Sequence, residues 1–200
     1  MYRWHRNSQV CYAYPQDFDG SSFPTEKDDG KYHKSNGWPE WFSRGWTLQE
    51  VIAPRDLQFF NKNWQPIGDK KTLAQTLQLI TQAPERILAD GLEGNCPCVA
   101  QIISWAANRT TTRVEDGVLG LLDVNMPMLY GERKKAFHRL RLEIIRSSDD
   151  QSIFAWGHNS DVRIGSILAD DPKFFEGCSK MEPIDHREFI EKSPEGGRSQ

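Results

Sequence analysis

The chain has 200 residues, 38% of them apolar, and a formal net charge of -3. That length suffices for one domain with a real core, or for a small domain with an appendage. No apolar run approaches the roughly 20 residues that span a bilayer, the mild acidity argues against electrostatic nucleic-acid binding, and the first residues lack the apolar stretch of a secretory signal, so the expected location is intracellular and cytoplasmic.

Residues 1–7 read as the end of a helix. Residues 9–14 follow as a β-branched and aromatic run stopped by Pro15, which predicts a buried strand. Residues 17–35 are rich in Asp, Gly, Ser and Lys with almost no aliphatic side chains, which predicts a mobile surface loop. Pro39 suits a first helical position and Glu40 the positive end of a helix dipole. One helix is therefore expected through Trp41, Phe42, Gly45, Trp46 and Gln49 toward Ala53, ended by Pro54. Residues 57–60 then read as a second strand. Strand, loop, helix and strand in that order predict a parallel-sheet unit with a right-handed crossover.

From Lys70 the pattern turns helical. Leu73, Thr76, Leu77 and Ile80 recur at helix spacing, Pro84 interrupts them before a short turn around Ile87 and Leu88, and Val99, Ile102, Ile103 and Ala106 mark another helix. Thr112 and Glu115 have the spacing of a capping box and start a helix through Leu122, and residues 126–131 form a turn. A long amphipathic helix follows, with Phe137, Leu140, Ile144 and Ile145 inward and Lys134, His138, Arg141 and Arg146 on the solvated faces. Asp149 and Asp150 mark its end, and residues 182–200 are expected to fray.

The four cysteines and five histidines show no metal-ligand spacing, so no metal or cofactor is expected and the thiols read as reduced. No phosphate-binding glycine fingerprint or catalytic triad spacing is present.

The run Arg44-Gly45-Trp46-Thr47-Leu48-Gln49-Glu50, followed by Val51-Ile52-Ala53-Pro54, resembles the signature RGWTLQEL.AP of the fungal heterokaryon-incompatibility (HET) domain. Residues 1–14 resemble that family's MYRWY..A.VCYAYL segment, and residues 110–156 and 165–175 resemble the stretches that follow the signature. Two departures stand out: the segment 116–121 is shorter than the family's, and Arg133 replaces the second glycine of YGEG. The resemblance implies an α/β fold, an incomplete TIR-like (flavodoxin-like) parallel-sheet remnant followed by a mainly α-helical region. Residues 1–60 correspond to the C-terminal part of the HET domain, 61–160 to the associated helical region and 161–200 to an extension with a disordered tail. The family's SHTWG and WIDT segments, which would supply earlier strands, are not found, so the chain reads as a fragment or truncated remnant whose exposed sheet favours aggregation.

The same resemblance implies a function in vegetative incompatibility and programmed cell death, acting through a protein partner or self-association. NAD is the implied substrate of the complete domain, because GWTLQE is similar to the helix that carries the catalytic glutamate of TIR enzymes. Glu50 is then the candidate catalytic residue, and Trp46 and Arg44 the candidate substrate-binding residues. Other readings stay open from the residues themselves. Thr47 and Glu50 also fit a capping box, the tryptophans fit core packing, and Arg44 fits a surface charge. A non-enzymatic interaction module or a non-functional remnant are the alternative functions.

Overall fold

The computed structural model describes residues 2–109, 118, 121–122, 133–157 and 167–181. Helix α1 (Tyr2–Arg6) leads into strand β1 (Cys11–Ala13), and β2 (Leu57–Phe60) and β3 (Pro66–Asp69) complete a sheet of order β1-β2-β3. β1 and β2 run parallel with Cys11 opposite Leu57 and Ala13 opposite Phe59, as expected of a strand-helix-strand unit. β3 returns antiparallel, with Phe59 opposite Gly68, so the sheet is mixed and not purely parallel. The turn at 61–65 explains this: Asn61 Oδ1 accepts the backbone N–H of Asn63 and Gln65, and its own N–H donates to the Gln65 carbonyl, closing a tight hairpin. Gly68 is required in β3, because its φ of +145° suits only glycine and a Cβ there would meet Leu73 Cδ1 at 2.7 Å.

The inner face of the sheet carries Ala13, Leu57, Phe59 and Ile67, all buried. The segment expected to be a surface loop contributes to this core. It lacks aliphatic residues, but its aromatics Phe18, Phe23 and Tyr32 are buried, and the Phe23 ring meets that of Phe59 edge-on at 5.0 Å. Tyr12, expected in a buried strand, lies on the opposite face and is 62% exposed. There it forms an aromatic row with Phe60, Trp64 and Tyr14.

Beyond Asp69 the described residues are helical or irregular, with α3 (Ala74–Thr81), α4 (Glu85–Asp90), α5 (Val99–Ala107) and α6 (Arg133–Ser147) at the positions the apolar spacing predicts. Every residue of α5 is buried, making it the central helix of this layer. Its first turn is capped from a distance: Asp150 Oδ2 accepts the Val99 N–H at 2.7 Å and Ser152 Oγ accepts the Ala100 N–H at 3.0 Å. The acidic pair after α6 thus does more than end that helix. Asp150→Ala should lower stability by about 1–2 kcal/mol, read as a fall in the urea midpoint, because it orphans two partly buried donors; an unchanged midpoint would refute the cap.

On α6, Phe137, Leu140 and Ile144 are buried and His138 and Arg146 exposed, as expected, the side chain of Lys134 lies outside the described residues, and two positions differ. Ile145 is exposed, while Arg141 is buried, donating to the Ala169 carbonyl and lying over the Phe137 ring. The segment 167–181 covers the face on which Arg141 lies, which spacing alone does not reveal. The capping box and helix expected at 112–122 lie outside the described residues except at 118 and 121–122, and the turn at 126–131 and the tail at 182–200 lie outside them altogether. No helix among the described residues is long and apolar enough to cross a membrane.

Lys70 is buried where β3 ends, its Nζ donating to the carbonyls of Ile52 at 3.0 Å and Pro54 at 2.8 Å. It thereby satisfies orphan acceptors at the end of the signature helix. Burial lowers its pKa from 10.5 to about 8. Between those values the unfolded chain holds a proton that the native chain has released, so this group makes stability rise with pH from about 8 toward 10.5. Below pH 8 its burial is a standing cost. The difference in unfolding free energy between wild type and Lys70→Met should therefore move in favour of wild type by up to about 1.4 kcal/mol per pH unit in that window. A flat difference curve from pH 7 to 10 would contradict it.

Candidate functional site

The signature does not form one helix. A 3-10 turn covers Glu40–Ser43, Arg44 is extended with φ -76° and ψ 142°, and helix α2 begins afresh at Thr47–Ile52 with Trp46 as N-cap. The expected continuous helix fails at Arg44-Gly45 because that extended residue ends the first turn. The break is held from 65 residues away: Arg109 Nη1 donates to the Arg44 carbonyl and to Thr47 Oγ1, each at 2.9 Å. Thr47 Oγ1 in turn donates to the Arg44 carbonyl at 2.7 Å.

This geometry removes the capping-box alternative. Thr47 is the first helical residue, no side chain caps the helix, and the Glu50 N–H goes to the Trp46 carbonyl at 3.3 Å. Glu50 is half-buried on the first full turn of α2, with Trp46 one turn earlier on the same side. Desolvation raises its pKa above the ordinary 4.5, and the charges of His5, Arg44 and Arg109 work against that rise. His5 reaches it because α1 packs on α2, and α1 is anchored by the Leu92 N–H donating to Tyr2 Oη and by the Arg6–Glu93 ion pair.

Arg44 is exposed and faces a cleft of about 220 Å³ that it lines with Tyr14, Gln16, Asp17, Glu40 and Trp41. The cleft lies just beyond the carboxyl end of β1, the usual side for ligands in parallel α/β units. Trp46 and Glu50 are not among its lining residues, so the three candidates share one chain segment and one electrostatic environment but not one cavity. Of the other tryptophans, Trp38 is buried in the core and Trp41 packs edge-on against Phe42 and Phe59.

Arg109 is the site residue that sequence reasoning missed. The available signal was an arginine two residues beyond a largely apolar helix, close enough to the core for its long side chain to reach back into it. Among the described residues no group of three or more His, Cys, Asp or Glu is placed to hold a metal.

The described residues thus form a mixed α/β unit with a half-buried carboxylate on the first turn of the helix that follows β1. Comparison with known proteins bears out the resemblance to fungal heterokaryon-incompatibility proteins. The chain is 38% identical over 152 residues to the vegetative incompatibility protein HET-E-1 of Podospora anserina, covering 72% of this chain and 11% of that protein. It thus spans about a ninth of the length of the curated relative it matches. The family model described as a domain of unknown function (DUF8212) matches residues 135–163. No solved structure matches the chain.

Proposed function

We propose that the chain is part of an incompatibility effector whose complete form cleaves NAD in the manner of TIR enzymes, with residues 1–60 supplying the C-terminal part of the catalytic unit and triggering cell death once active. The observation that carries this reading is the Glu50 carboxylate itself, half-buried beside Trp46 and flanked by two arginines, with a raised pKa. Such a group can orient ribose hydroxyls and stabilise the oxocarbenium-like carbon as the glycosidic bond breaks and nicotinamide leaves with its electron pair. Water then attacks that carbon, giving ADP-ribose and a proton. Arg44 binds a phosphate at the cleft and Trp46 walls the ring.

The test is NAD consumption by the protein extended upstream to include the earlier strands, followed as nicotinamide release; no release under any activating condition would end the enzymatic reading. A second reading is a non-enzymatic module that works through a protein partner or self-association. The aromatic row on the open sheet face favours it, since Tyr12 and Trp64 are each 62% exposed.

A further inference from the structure

The two edges of the sheet differ. β3 presents an exposed proline, Pro66, and its outer side is covered, because Phe23 from the long segment before the signature donates its N–H to the Ile67 carbonyl at 3.2 Å. β1 forms the other edge. The Cys11 N–H donates to the Asp56 carbonyl at 2.9 Å, so in the parallel register with β2 it is Cys11 and Ala13 whose backbone groups turn toward that strand. The N–H and C=O groups of Val10, Tyr12 and Tyr14 therefore point outward, and they meet no hydrogen-bond partner among the described residues.

Native sheets blunt such an edge with charge, proline or cover. Residues 9–16, Gln-Val-Cys-Tyr-Ala-Tyr-Pro-Gln, carry no charged side chain, and Pro15 stands beyond the outward-facing groups. Val10, Tyr12 and Tyr14 alternate onto the open face of the sheet, where Tyr12 is 62% exposed and meets Phe60 edge-on at 5.6 Å. Lys62, in the turn that carries Trp64, is paired with Asp19 at 3.1 Å. A charged peptide thus finds nothing on this edge to select it, and a second copy of the same segment finds nothing to repel it. We propose that the β1 edge binds a second copy of this chain, the two β1 strands pairing antiparallel about a twofold axis at Tyr12. In that register Tyr12 exchanges both N–H···O bonds with the partner's Tyr12, and Val10 does so with the partner's Tyr14. The two Tyr12 rings become a cross-strand aromatic pair, which joins the two aromatic rows into one. Because the β3 edge is covered, the assembly closes at the dimer. One short strand and a few half-exposed rings offer less than the roughly 800 Å² per partner of a stable interface, so the dimer is weak and forms between about 10 µM and 1 mM. The proposal deepens the second reading above, self-association, and is independent of the chemistry of Glu50.

The experiment is sedimentation equilibrium of the whole chain over that concentration range, with amide hydrogen exchange measured at both ends of it. A reversible monomer–dimer equilibrium is expected, in which the amides of Val10, Tyr12 and Tyr14 exchange more slowly as concentration rises. Tyr12→Lys sets two like charges opposite each other on an exposed position and should weaken the dimer by at least about tenfold, with an unchanged near-ultraviolet circular dichroism spectrum. Trp64→Ala, in the turn and away from the edge, should leave the three amides protected in the dimer. A chain that stays monomeric at 1 mM would overturn the proposal and leave the protein-partner form of the second reading standing. A dimer in which the three amides gain no protection, or one that Tyr12→Lys leaves unchanged, would keep self-association and overturn the edge. Growth beyond the dimer would overturn the twofold pairing, and protection of the same amides in the dilute, upstream-extended protein would assign the edge to an upstream strand and overturn the proposal as well.

Discussion

Phe59→Ala should cost the chain about 3–5 kcal/mol of stability. Phe59 is fully buried at the centre of the middle strand, with Ala13 on one side and Gly68 on the other. Its ring is the meeting point of three others: Phe23 at 5.0 Å, Trp41 at 6.0 Å and Phe42 at 6.1 Å. Those rings come from the long segment before the signature and from the 3-10 turn, so one side chain joins sheet, loop and turn. Neither neighbour in the sheet can fill the space, since Ala13 is small and Gly68 admits no Cβ. The void therefore stays open and the full cavity penalty applies. A small domain has about 5–15 kcal/mol in all, so the variant should unfold at far lower urea than wild type. Tyr12→Ala, on the open face of the same sheet, should cost less than about 1 kcal/mol. Similar losses in the two variants would mean that the inner face is not the core.

What the sequence made legible follows the range of the interactions. Strand β2 was readable because Leu57, Phe59 and Phe60 stand together between a proline and a turn. Helices α3, α5 and α6 were readable because Leu73, Leu77, Ile102, Ile103, Leu140 and Ile144 carry the helical period in or beside their own segments, whereas α4 reads only as a short turn around Ile87 and Leu88. Strand β3 was not, because Pro66-Ile67-Gly68-Asp69 has turn composition and becomes a strand only through its pairing with β2. Phe18, Phe23 and Tyr32 carry no period, so their burial is decided by the surface they meet. The candidate site shows the same division. The segment 44–50 announced itself by composition, but the break within it depends on a hydrogen bond from Arg109, whose sequence separation hides it. Arg141 reads as solvated for the same reason, since its cover comes from Ala169.

On the proposed reading of the chain as part of an NAD-cleaving effector, Glu50→Gln in a full-length effector that contains it should lower NAD turnover about a hundredfold while leaving the fold slightly more stable at neutral pH. The rate loss follows from removing the negative charge that a developing oxocarbenium ion needs; one principal electrostatic contact of this kind is worth on the order of 3 kcal/mol. The stability gain follows from the raised pKa. Burial keeps the native carboxyl protonated to higher pH than the unfolded one, so its contribution is most favourable below the ordinary value of 4.5 and is lost as pH rises through the native value. At pH 7 the ionised group is a cost that the neutral amide of Gln does not carry. The melting temperature of Glu50→Gln should thus match or exceed that of wild type at pH 7, and the difference should shrink toward pH 4. A carboxylate kept where it destabilises the fold is the pattern of a site held for function. A structural carboxylate paired with Arg109 or Arg44 predicts the reverse, a drop in melting temperature at pH 7 with turnover unchanged. Measuring nicotinamide release and melting temperature on the same two proteins separates the readings, and unchanged turnover in Glu50→Gln would remove Glu50 from the chemistry whatever its effect on the fold.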